Sequence, residues 1–208
     1  MPRKKKLILI TGGILLLVLV LGVYFIIFPR IEDSSITSVI SAAGVLPYLN
    51  DGDVILRMSD AAWSEVFSNF STTDNRFSHL GIVRIRGGTI TIIHSLGSIR
   101  NRTKGVEETS LDAFLEAANA IGIFRVQSVE GSIISDTVME YLGRPFDWSF
   151  DLNDDSRIYC TELLYVVLKK TGLEHLLSTI FLERINREVI PLDSISNSPH
   201  FIKIQCFP

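Results

Sequence analysis

Apolar residues come first in this chain as one unbroken block, and afterwards only in short alternating or helical runs. Leu7 to Phe28 carries no charged side chain over 22 residues, long enough to cross a hydrocarbon core as a helix. From Asp51-Gly52-Asp53, a turn signal, the pattern changes: Val54-Ile55-Leu56 predicts a strand. Ser59 to Phe70 places Ala62, Trp63, Val66 and Phe70 at helical spacing and predicts a short helix. Leu80–Arg86 and Thr89–His94 flank Gly87-Gly88 and predict a β-hairpin. Residues 97 to 109 are polar and loop-like, and Thr109 or Ser110 starts a helix that runs to about Asn119. Ile121–Val129 predicts a strand, and Ile133–Leu142 a helix that Gly143-Arg144-Pro145 ends. A further helix begins near Cys160 and stops at Gly172, and Phe201–Ile204 is strand-like.

The flanks of the apolar block give it a direction. Arg3, Lys4, Lys5 and Lys6 precede it, while Arg30 is followed at once by Glu32 and Asp33. The positive-inside rule then leaves residues 1–6 as a cytoplasmic tail, 7–28 as a membrane anchor, and the remainder on the outer, extracytoplasmic side. A cleaved signal peptide is the alternative. The run is long for one, no small-x-small cleavage site follows, and no cysteine offers a lipid anchor. Residues 29–49, Ser-rich between Pro29 and Pro47, form a linker or a short leading helix. Residues 50–208 are then one α+β domain, an antiparallel sheet packed on helices and large enough for a real core.

Composition removes one class of function. With 20 basic against 23 acidic residues there is no positive field to draw nucleic acid. The 47% hydrophobic content is inflated by the N-terminal block. Two cysteines, Cys160 and Cys206, make no disulfide framework, and the sequence does not say whether they ever pair. The commonest fate of a free cysteine is a small buried hydrophobe.

Against that stand two histidines. His79 and His94 share one face of the hairpin under either turn. With Arg86-Gly87 as the loop they are directly opposed, and with Gly87-Gly88 they are diagonal neighbours. Cys160 opens a strongly patterned helix, where backbone N–H groups and the helix dipole favour an anion and can pull a thiol pKa toward neutrality. A cysteine at a helix start facing a histidine on a strand is what an activated thiol nucleophile needs.

Three segments in this order, Asp51-Gly52-Asp53-Val54-Ile55, Phe77-Ser78-His79-Leu80-Gly81-Ile82-Val83 and Tyr159-Cys160-Thr161-Glu162-Leu163-Leu164, resemble the circularly permuted NlpC-type papain-fold family (YiiX/YaeF-like). Thr161 stands where the family usually has Ser. Gly143-Arg144-Pro145-Phe146-Asp147 looks like the family's approach to its cysteine, and the resemblance covers roughly residues 50 to 175. It implies a papain-like domain in which His79 precedes Cys160, as a permutation requires. It also implies Cys160 as nucleophile, His79 as general base and His94 as the third, orienting position. The Cys160 N–H would form part of the oxyanion hole. Tyr159 either binds substrate in the cleft or simply packs.

Other polar residues have simpler accounts. Glu162 in the first turn of the helix is explained by the helix dipole. Asp147, Asp151, Asp154 and Asp155 lack the glycine and distal Glu of a calcium loop, and His175 and His200 are expected at the surface. A zinc site built from His79, His94 and Cys160 would be possible. The helix-start position already accounts for the cysteine, however, so the chain is expected to need neither metal nor cofactor. The expected function is therefore a membrane-anchored cysteine hydrolase that cleaves a peptide or isopeptide amide, such as a cell-wall peptide, through a thioester. The alternatives are a lipid acyl hydrolase or acyltransferase with the same residues, favoured by an apolar cleft near Trp63, Phe70 and Phe77, or a binding module without turnover.

Overall fold

The computed structural model describes residues 40–59, 67–98, 104–116 and 118–208. The predicted anchor over 7–28 lies outside the described residues, as does most of the predicted 59–70 helix. Among the described residues no helix is long and apolar enough to cross a membrane.

The strands are β1 (Val54–Ser59), β2 (His79–Arg86), β3 (Thr89–Ser95), β4 (Val106–Ser110), β5 (Ala118–Val126), β6 (Ile180–Leu182), β7 (Arg187–Val189) and β8 (Phe201–Phe207). The α-helices are α1 (Ala42–Val45), α2 (Leu111–Leu115), α3 (Gly131–Thr137), α4 (Cys160–Lys170) and α5 (Asp193–Ser196). Six strands form one antiparallel sheet in the order β4-β3-β2-β1-β5-β8, while β6 and β7 pair separately.

Both faces of the sheet are covered, and side-chain alternation sorts the strands between two cores. Val54, Leu56, Leu80, Ile82 and Ile93 pack with Leu163, Leu164 and Val167 of α4 on one face. Ile55, Val83, Ile92, Ile121 and Ile123 pack with Leu111, Phe114 and Leu115 of α2 on the other. Ile40, Val45 and Leu49 join this second core. Of the stretch expected as a linker or leading helix, residues 40–49 thus form a short helix and a 3-10 turn seated on the domain.

The hairpin turns at Gly87-Gly88, with φ of +57° and +80°, a left-handed conformation that glycine adopts more readily than other residues. Its register pairs Val83 with Ile92 and Arg86 with Thr89, so the two histidines are diagonal neighbours. Before β1, Asp53 is fully buried and grips Arg125 of β5 through two bonds of 2.7 and 2.9 Å. Beside it a Cβ on Gly52 would meet the Gly131 carbonyl oxygen at 2.1 Å.

Several boundaries differ from expectation; the strand expected at Ile121–Val129 is Ala118–Val126, and the one expected at Phe201–Ile204 runs to Phe207. Residues 106–109, read as loop, form strand β4 together with Ser110, read as a helix start, and pair with β3. The helix after Ser110 stops at Leu115 because Ala118 already belongs to β5. The helix expected to Leu142 is α3 followed by a 3-10 turn, Val138–Tyr141. The cysteine helix ends as predicted, with Gly172 at φ +73°, and Leu173 N–H donates to Leu168 O at 2.8 Å in a Schellman closure.

Candidate active site

Cys160 is the first residue of α4, and several bonds fix the start of that helix. Ser95 Oγ, at the end of β3, donates to Ile158 O at 2.5 Å, and Thr161 Oγ1 donates to Ile190 O at 2.7 Å. Tyr159 N–H donates to Glu162 Oε2 at 3.0 Å, a side chain reaching back to cap its own helix. The backbone N–H groups of Thr161, Leu80 and Cys160 itself lie where they favour a negative charge on the Cys160 sulfur.

On the strands, His79 Nε2 lies 2.8 Å from His94 Nδ1, and His94 Nε2 lies 3.2 Å from Thr109 Oγ1 and 4.0 Å from Glu107 Oε1. Two tautomer sets satisfy this chain, one in each direction; in the one that a general base requires, His79 donates from Nε2 to His94 Nδ1, and His94 donates from Nε2 to Thr109 Oγ1. His79 Nδ1 is then the ring nitrogen left for the cavity. Phe114 supports both rings, with centroids 5.8 Å from His79 and 5.3 Å from His94.

Cys160 and His79 are walls of one cavity. A cavity of about 110 Å³ is lined by Cys160, His79, Arg57, Phe67, Phe146 and Trp148, among others. It is small beside the roughly 300–1,000 Å³ of ordinary ligand pockets. Arg57, which the sequence reading passed over, faces His79 across the β1–β2 register. Its Nη1 donates to Phe114 O at 2.5 Å, and its guanidinium lies 4.7 Å from the Phe114 ring centroid.

Burial dominates the electrostatics. It pushes the Cys160 thiol up to about 11, although the three backbone N–H groups and the Arg57 charge pull the other way. This corrects the expectation of a helix-lowered thiol: removal from water outweighs the helix terminus. Burial, the neighbouring His94 and the Arg57 charge hold His79 well below the usual histidine range. Burial and then the charges of Arg57 and Lys104 take His94 down to about 3. These shifts favour a neutral thiol and a neutral imidazole pair in the site.

Residues 48–188 match the permuted papain-like amidase enzyme, YaeF/YiiX, C92 family. The chain belongs to this family. Its fold, with the sheet histidine ahead of the helix cysteine in the chain, is the permuted papain-like arrangement, and the family is one of hydrolases. A curated relative, the uncharacterized protein YiiX of Escherichia coli K12, is 29% identical over 123 residues, 56% of this chain. The chain spans 55% of that relative's length. A crystal structure of YiiX from Escherichia coli O157:H7, described as a metalloprotein, superposes with a TM-score of 0.61. At 18% identity, over 75% of this chain and 96% of that one, it bears on the fold alone. In this chain no group of three His, Cys, Asp or Glu side chains could hold a metal ion, among the described residues.

The other expected residues fall away from the cavity. Tyr159 is buried, its ring 5.2 Å from Phe150 and its hydroxyl accepting Ile190 N–H at 3.0 Å, and it does not line the cavity. Of the two roles open to it, its position supports packing. Phe70 and Phe77 lie in separate buried clusters, so neither forms an apolar cleft at Cys160, and Trp63 is outside the described residues. Cys206, on edge strand β8, is a free thiol like Cys160. Thr109 and Glu107, the outer support of His94, were missed because their strand has almost no apolar signal.

Proposed function

We propose that this chain is a cysteine amidase acting on peptide or isopeptide bonds through a thioester on Cys160. One observation carries the reading. Cys160 and His79 line the same cavity, and His79 Nε2 is fixed on His94, which turns the other ring nitrogen to the substrate side. As Cys160 Sγ attacks the acyl carbon, its proton passes to His79 Nδ1, and the imidazolium is steadied by donation from Nε2 to His94. The Cys160 N–H at the helix start supplies one donor to the oxyanion. Collapse of the tetrahedral adduct breaks the C–N bond and returns the proton from His79 to the departing amine. Water, deprotonated by His79, then hydrolyses the thioester and restores the thiol.

On the same reading, residues 7–28 tether the protein to a membrane with the domain on the outer side, where cell-wall peptides are an abundant source of amides. The uncharged run and its basic N-terminal flank support this part. A second chemistry, acyl-ester hydrolysis or acyl transfer by the same residues, is favoured by the apolar Phe67, Phe146 and Trp148 walls.

The test is acyl-enzyme trapping on the full-length protein with peptide p-nitroanilides and acyl p-nitrophenyl esters. Mass spectrometry should find the acyl group on the Cys160 peptide. Cys160→Ala should release no product, and His79→Ala should be slowed about 10²–10⁴-fold. Esters turned over while anilides are not would select the acyl-ester reading. Undiminished turnover in Cys160→Ala would refute both, and turnover of neither substrate would point to a binding module.

A further inference from the structure

A buried cation is normally matched by an anion, because the cost of leaving water is otherwise unrecovered. Arg57 breaks that pattern. Its guanidinium is partly buried at the cavity, and its Nε is sealed from solvent with no hydrogen-bond partner. Its polar contact among the described residues is the neutral Phe114 carbonyl, and its stacking partner is the neutral Phe114 ring. No acidic side chain forms an ion pair with it there, although Arg76, Arg84, Arg86, Arg125 and Arg144 each have one. The two histidines beside it are held neutral and the thiol is protonated. Among the described residues that line the cavity, Arg57 is the one with a permanent charge.

The rest of the wall gives that charge few other outlets. Phe67, Leu96, Phe146 and Trp148 are apolar; Ser59, Ser78 and Ser95 also line the cavity but are neutral, and the Ser78 and Ser95 hydroxyls donate to the Arg57 and Ile158 carbonyls. A guanidinium has five N–H donors in a planar fork that fits a carboxylate with two parallel bonds. With one Nη1 hydrogen on Phe114 O, the Nη2 hydrogens and the second Nη1 hydrogen remain.

We propose that Arg57 receives a carboxylate that the substrate carries close to its scissile acyl group, so that the preferred substrates are acidic acyl compounds. This rests on the amidase reading for the bond broken, but the anion site itself does not depend on Cys160 turning over. It makes Arg57 a specificity-determining residue. A substrate lacking the carboxylate leaves a buried charge unpaired and is discriminated against for that reason.

Two alkylating reagents that differ in little but this charge test it. Iodoacetate carries a carboxylate on the carbon that Cys160 would attack, and iodoacetamide carries a neutral amide there. Their rates on the Cys160 peptide are followed by mass spectrometry at one pH and ionic strength. The ratio cancels the thiolate population common to both. The native protein should favour iodoacetate over iodoacetamide at least tenfold more than the urea-unfolded chain does. Arg57→Gln should return the ratio to the unfolded value, while Arg57→Lys should keep part of the preference. A native ratio equal to the unfolded one, or a raised ratio that survives in folded Arg57→Gln, overturns the proposal.

Acetate titrated into Cys160→Ala protein, observed at the Arg57 Nε–H by ¹⁵N NMR, gives a second readout that needs no reactive thiol. Saturable binding there supports the anion site, and no shift up to high acetate refutes it. A Cys160 inert to both reagents counts against the amidase reading, and the acetate result then decides the anion site alone.

Discussion

Glu162 sits two residues after Cys160 in α4, and none of its surface reaches solvent. Oε2 caps Tyr159 N–H, but Oε1 has no hydrogen-bond partner. Burial, and after it the charges of Asp147, Asp151 and Asp154, push its carboxyl from 4.5 up to about 8. The folded chain thus holds a proton between those two values that the unfolded chain has released. Folding therefore weakens as pH rises through that window, by up to about 1.4 kcal/mol per pH unit from this group. Glu162→Gln keeps an oxygen to cap Tyr159 and cannot ionise, so it removes this dependence. Urea unfolding of both proteins at pH 5, 6, 7 and 8 should give similar stabilities at pH 5. The variant should then gain steadily on the wild type, reaching a few kcal/mol by pH 8. Two curves that stay parallel from pH 5 to pH 8 would show that the carboxylate is already ionised in the folded protein, and the argument from burial would fail.

Two further outcomes follow from the same balance of burial and charge. Iodoacetamide labelling of Cys160 should keep rising with pH beyond the ordinary free-thiol value of about 8.5, because burial pushes the thiol up to about 11; a plateau below pH 7 would mean a preformed thiolate. Asp53→Ala removes the buried partner of Arg125 and of Asn50 N–H, and should cost about 3 kcal/mol in urea unfolding, whereas a loss below about 1 kcal/mol would make the pair an ordinary surface contact.

The parts of the fold that showed through the sequence are those where side-chain periodicity and turn chemistry agree. Gly87-Gly88 fixed the hairpin, and the parity of its register kept His79 and His94 on one face whichever pair of residues made the turn. The α4 helix was readable at both ends, from the apolar run after Cys160 to the glycine at 172. Strand β4 was hidden because Val106-Glu107-Glu108-Thr109-Ser110 borders the sheet and has one buried apolar residue to show for it. Arg57 was hidden for the opposite reason: a charge at the end of an apolar strand reads as a boundary, yet β1 continues to Ser59. The sign of the Cys160 shift could not be read either. A helix start is visible in a sequence, but the degree to which a thiol is shut away from water depends on residues brought in from β2 and from the segment around Phe146.

The position of β4 has a consequence for how the site comes apart. The central strands and α4 can release their amides only when the domain opens as a whole. β4 is one of the two border strands: it is bonded to β3 along one side and, at Val106, to Gly143 and Arg144 on the other, so hydrogen exchange is expected to be faster over residues 107–110 than in the central strands. That strand holds Thr109 and Glu107 against His94, so fraying there slackens the His79–His94 chain while Cys160 stays clamped. The site should thus have a threshold of its own, below that of global unfolding, at which the base loses its aim before the nucleophile moves.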